Sequence, residues 1–215
     1  MKTNYLESTY YLDFNHPKIQ KLISGIEESS SKREKIEQIY LKVRDGWRYS
    51  PFVIGLTKTH YKASTIHDKK EAHCIDKAIL LTAGLRALGI PARLHLAKVS
   101  NHIATERLEK QLGTNELAPH GLVDVFNNNT WYKCSPAFNK ELCDKYNVDV
   151  LNFDGSKDSV LQEYNKDDKR FMEYLEDYGY FDDVPLDKIK AIFKSNYPEI
   201  YDRFRKVQEV NFNSI

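Results

Sequence analysis

Apolar residues fall on nearly every side of a helix between residues 74 and 88, in the run Cys74-Ile75-Asp76-Lys77-Ala78-Ile79-Leu80-Leu81-Thr82-Ala83-Gly84-Leu85-Arg86-Ala87-Leu88. A helix that is hydrophobic all round is a buried one. Gly89 suits the left-handed position just past its end, and Pro91 forbids its continuation. The pattern therefore predicts a central, buried helix. A second helix starts at a capping box, Ser31 with Glu34 three residues on, and carries Ile36, Ile39, Tyr40 and Val43 on one face before ending near Gly46-Trp47. Another is expected near Lys18 to Glu28, whereas residues 49–71 read as irregular.

After the central helix the period changes from helical to alternating. Arg93 to Val99, His120 to Phe126 and Thr130 to Cys134 read as strands. Asn127-Asn128-Asn129 can take the positive φ values of a tight hairpin between the last two. Thr105 to Leu112, stopped by Gly113, reads as a short exposed helix that could wall a cleft. Ile189, Ile192 and Phe193 form a stripe on a further helix over Leu186 to Asn196. Helices, then a small antiparallel sheet, then helices make an α+β pattern. At 215 residues, one domain over 1–215 is expected, with a core at about 35–140 and a helical extension at about 159–215.

Composition narrows the classes. A net charge of +1 argues against a broad nucleic-acid footprint, which needs a basic excess. No apolar run approaches the roughly 20 residues that span a bilayer, and Met1 to Glu7 lacks the apolar stretch of a signal peptide. Three cysteines without a CxxC suggest neither a disulfide framework nor a zinc ribbon. A reduced, cytoplasmic protein is the expectation, with no cofactor, no metal, no nucleic acid and no membrane as partners.

The chemistry that stands out is the thiol at the head of the central helix. Free N–H groups and the positive end of the helix dipole favour a thiolate there, and a free cysteine pKa of about 8.5 can fall to roughly 3.5–7.5 in such places. A cysteine nucleophile needs a base and a third group that orients the base. His120, at the head of a strand after Pro119, fits the base. The segment Cys134-Ser135-Pro136-Ala137-Phe138-Asn139 is the place to look for the third group. Cys134 and Cys143 read as inert core residues, and the aromatic tail residues Tyr174, Tyr178, Tyr180 and Phe181 as core. His73, next to the thiol, reads as structural or substrate-facing, because neighbours at a helix start point in different directions. His60, His67, His73 and Cys74 match no closed zinc pattern.

Cys at a helix start, then Gly89-Ile90-Pro91-Ala92-Arg93, then His at the head of a strand, then Trp131 before a residue-Pro turn, resembles the transglutaminase-like superfamily. The stretches Val43 to Tyr49, Asn101 to Leu108, Ser135 to Cys143 and Phe153-Asp154-Gly155 resemble a bacterial transglutaminase-like group. The resemblance implies a papain-like core with a Cys-His-Asp triad, in which Cys74 matches the nucleophile and His120 the base. The third position departs: the superfamily usually has Asp before the Pro of the turn, and this chain has Ser135. An amide carbonyl can orient a histidine, so Asn139 ranks first for that role and Ser135 second. Asp124 is a distant third, since it stands about 13 Å along the strand from His120 at roughly 3.3 Å per residue. The expected function is thiol-dependent acyl chemistry on a peptide or other amide, with hydrolysis through a Cys thioester. Transamidation, a non-catalytic binding module that keeps the fold, and a scaffold using the 159–215 tail are the alternatives. No oligomeric state is implied.

Overall fold

The computed structural model describes residues 3–103, 105–206 and 209–211. The expected central helix, α4 (Cys74–Ala87), has a core of buried residues on all sides, including the fully buried Ala78, Ile79, Leu80, Ala83 and Leu85. Its end is a Schellman motif. Gly89, at φ +71°, donates to Arg86 O and Ile90 donates to Leu85 O. Packed on it are α1 (Pro17–Ile23) and α2 (Lys32–Gly46), the latter opened by the Ser31–Glu34 capping box. The first helix is shorter than the expected Lys18 to Glu28, and Gly25 at φ +81° stands just beyond it.

Residues 49–71 hold short elements where an irregular segment was expected: β1 (Arg48–Tyr49), β2 (Val53–Gly55), α3 (Ala63–Ile66) and β3 (Glu71–Ala72). The β1–β3 pair is parallel and joins Tyr49 to Ala72, two residues before the thiol. Lys77 seals the same corner. Its ammonium is buried, and burial lowers its pKa to about 7. It donates to the carbonyls of Arg44 (2.7 Å), Trp47 (3.0 Å) and Ala137 (2.8 Å), which ties the end of α2, the head of α4 and the turn after the last hairpin strand together.

The main sheet is antiparallel. Its strands are β4 (Ala92–Asn101), β5 (Glu116–Asn127), β6 (Thr130–Cys134) and β7 (Met172–Phe181), in the order β6-β5-β4-β7. Asn128 and Asn129, at φ 48° and 62°, make the β5–β6 turn with the two positive φ values that a type I′ hairpin requires. Leu94, Leu96, Val123 and Val125 share one hydrophobic core with α4. At Gly121 the strand crosses the helix head so closely that a Cβ would stand 2.6 Å from Ile75 Cα.

Between β4 and β5 lies α5 (Glu106–Leu112), which buries Leu108 and Leu112 and so is not simply a solvated face. After β6 come α6 (Lys140–Lys145), the sheet-edge strand β7, α7 (Leu186–Asn196) and α8 (Pro198–Lys206). A strand β8 (Glu209–Asn211) pairs antiparallel with β2. The expected helical extension at 159–215 is therefore corrected. Met172–Phe181 is half exposed and belongs to the sheet by its pairing to β4, and residues 212–215 lie outside the described ones. Tyr174 and Tyr180, expected in the core, are among the exposed large side chains.

Candidate active site

The head of α4 carries a capping box built from unusual residues. His73 is the N-cap, with φ −75° and ψ 164°, and its Nδ1 accepts from Ile75 N (3.5 Å). Asp76 reciprocates by accepting from His73 N (3.2 Å). Asp76 is fully buried, which by itself raises its pKa, but Lys69 and His60 hold it down to about 2. Lys69 Nζ lies 3.2 Å and His60 Nε2 3.3 Å from its carboxylate oxygens. His60 thus belongs to this anchor, and among the described residues no group of three or more His, Cys, Asp or Glu could hold a metal ion.

In turning back to cap the helix, the His73 ring meets the thiol. Its Nδ1 is 3.3 Å from Cys74 Sγ, so the expectation that these neighbours point apart fails. Since Nδ1 accepts from a backbone N–H, the ring proton belongs on Nε2 and the S–H is the donor of the pair. Three backbone N–H groups, of Gly121, Ile75 and Cys74, also bear on the sulfur.

His120 sits one residue before the Gly121 amide that reaches Sγ. The residue is buried, with a relative exposure of 3%. Nε2 faces Ser135 Oγ at 3.5 Å, and Nδ1 has no hydrogen-bond partner among the described residues. Asn139, ranked first as the orienting group, instead uses its side-chain oxygen to accept from Tyr49 N (3.0 Å) and anchor β1. The side chain on His120 is Ser135, which itself accepts from Ala137 N (3.4 Å). Asp124 is engaged elsewhere, with Arg93 (2.8 Å) and His95 (3.0 Å).

The electrostatics reverse one expectation. Burial pushes the Cys74 thiol up to about 12, and Asp76 adds to the rise, against the lowering effect of the three N–H groups. Removing the sulfur from water outweighs the helix head, because desolvation penalises the charged form. Burial likewise lowers His120 to about 3 and His73 to about 4. In this closed form the thiol and both imidazoles are neutral. Near them lies a narrow cleft with room for about one water molecule, lined by His73 and Ile75 at the head of α4 and by Ala118 and Pro119 on β5, though not by Cys74 or His120 themselves. Its lining also includes Phe193 and Tyr197. Tyr197 OH accepts from Ala118 N and donates to Glu116 O, both at 2.8 Å.

Residues 20–136, more than half of the 215, match the family model of the transglutaminase-like superfamily. The chain belongs to that superfamily. The matched span holds Cys74, His120 and Ser135, and membership supports a cysteine-dependent hydrolase or transferase as the kind of protein this is. A solved structure described as "a Putative Cysteine Protease from Cytophaga hutchinsonii" is similar at 14% identity and a TM-score of 0.44, covering 82% of this chain. This chain spans about half of that one, 53%. No curated protein matches. Among the described residues no helix is long and apolar enough to cross a membrane.

Proposed function

We propose that the protein cleaves amide bonds through a Cys74 thioester, with His120 as the base and Ser135 holding its Nε2. The observation that carries this reading is the crossing of β5 over the head of α4. It sets Gly121 against Cys74 and Ile75 and leaves the adjacent His120 buried, with one ring nitrogen on Ser135 and the other without a partner among the described residues. A buried imidazole nitrogen without a partner is unfavourable in a merely structural role, and it is what a base awaiting a proton requires.

Substrate entry would bring the carbonyl carbon to Sγ. The S–H proton passes to His120 as the S–C bond forms, and the N–H groups of Cys74 and Gly121 are the donors available to the oxyanion. His120 then gives that proton to the leaving nitrogen as the C–N bond breaks, leaving a thioester. Water, deprotonated by the same ring, forms the C–O bond, and the C–S bond breaks to return the thiol and a carboxylic acid. A primary-amine adduct formed in preference to the acid would assign transamidation instead.

His73 is the second reading for the base, favoured by its 3.3 Å contact with Sγ. It is the weaker one, because Nδ1 is shared with the Ile75 cap. Peptide electrophiles and intact-mass detection separate the two. Labelling should vanish in Cys74→Ala, slow by at least about 10²-fold in His120→Ala, and slow less in His73→Ala. A native protein that never labels would sink the proposal, and the reverse order of the two histidine variants would pass the base role to His73.

A further inference from the structure

The cleft beside the thiol has a composition that the proposed reaction does not itself require. We infer that it is the pocket for the side chain of the substrate's acyl residue, and that it takes an apolar, aliphatic side chain in preference to a carboxamide or a charged one. The inference rests on the reading of Cys74 as nucleophile. The cleft meets the head of α4 at His73 and Ile75, the two residues flanking Cys74, which makes it the space nearest the sulfur in sequence although Cys74 itself does not line it.

Among the described residues no Asp, Glu, Lys, Arg, Asn or Gln lines it; apart from His73 the polar side chains of the lining are the tyrosines Tyr61 and Tyr197. A glutamine or glutamate side chain placed there would lose water without gaining the set of partners it had in solution, whereas a leucine would gain from burial. Tyr197 OH is already bonded to Glu116 O and Ala118 N and is not free to receive a carboxamide. In the closed form the space holds only about one water molecule. An occupant must therefore displace a lining side chain, and the larger of the two that α7 contributes is Phe193, which is 3% exposed. Phe193 is on this argument the residue that sets how large a side chain enters.

The test uses four peptide acyloxymethyl ketones that differ only in the residue bearing the electrophile: Gly, Leu, Phe and Gln. Rates of Cys74 modification are read by intact mass on the full chain, native and Phe193→Ala. Leu should exceed Gly and Gln by at least about tenfold, and Phe193→Ala should raise Phe relative to Leu by about fivefold or more. Equal rates for the four, or Gln ahead of Leu, would overturn the pocket while leaving the nucleophile reading intact. If no probe labels Cys74 in the native protein, the nucleophile reading fails and the pocket with it. Should Phe193→Ala not fold by circular dichroism, Ile189→Val makes the smaller enlargement of the same wall, and an unchanged Phe-to-Leu ratio there counts against the inference.

Discussion

Two buried histidines on adjacent strands, His95 on β4 and His120 on β5, are treated in opposite ways by their surroundings. His95 has both ring nitrogens on carboxylates, Nδ1 on Asp124 (3.0 Å) and Nε2 on Asp177 (2.9 Å). Arg93 and Lys133 extend that network, and the Arg93 guanidinium lies against the rings of Trp131 and Tyr180. His120 has one long contact to a serine and, among the described residues, no partner for its other nitrogen. The difference separates a histidine whose two nitrogens tie strands together from one whose nitrogens are incompletely bonded, as the proposed base would be. Burial alone does not distinguish them, since both are at least 96% buried, with exposures of 4% and 3%.

The comparison breaks most sharply if the two histidines are exchanged for leucine. His120→Leu should slow Cys74 acylation by at least about 10³-fold while keeping stability within about 1 kcal/mol of native, because it removes a buried group whose bonds are incompletely made. His95→Leu should do the converse. It leaves the Asp124 and Asp177 carboxylates without their shared partner and should cost about 3 kcal/mol, read from denaturant midpoints, with Cys74 reactivity unchanged.

Acid sharpens the same contrast. His120 and His73 titrate at about 3 and about 4 in the folded chain, well below the ordinary 6.5. Below pH 6.5 the unfolded chain binds protons that the folded one refuses, so stability is full above 6.5 and falls as pH drops towards about 4 and then about 3. His120→Leu should make that decline shallower from pH 6.5 downward and end it near 4, where His73 titrates. A decline of native steepness in the variant would show that His120 is not buried neutral.

The smallest effects concern Ser135. Ser135→Ala should slow acylation by about two- to fivefold, the loss of one weak hydrogen bond. Ser135→Asp should speed it by about tenfold, since a carboxylate at Nε2 stabilises the imidazolium that a hydroxyl cannot. If neither change alters the rate, Ser135 does not orient His120.

Local signals carried much of this fold. Gly89 and Pro91 bound the central helix, Ser31 and Glu34 open α2, and the Asn128-Asn129 pair turns the hairpin, because each feature depends on residues close in sequence. What was not legible depends on distant ones. Strand β7 pairs Met172 with Asn101, and its half-exposed pattern gives no core face to read. The side-chain oxygen of Asn139 goes to Tyr49, on a strand 90 residues earlier. The thiol's pKa direction depends on its burial, and the strand that crosses the helix head at Gly121 lies 47 residues further along the chain. The contact of His73 with Sγ had a local signal that could have found it: a histidine at the N-cap, with Asp three residues on, turns back over its own helix.

The most direct measurement is the rate of Cys74 modification by a Leu-bearing peptide acyloxymethyl ketone at pH 7, compared among the native protein, His120→Leu and His95→Leu. The expected result is a loss of at least about 10³-fold in His120→Leu and a native rate in His95→Leu. A native rate in His120→Leu, or equal losses in the two variants, would contradict the assignment of His120 as the base of a Cys74 nucleophile.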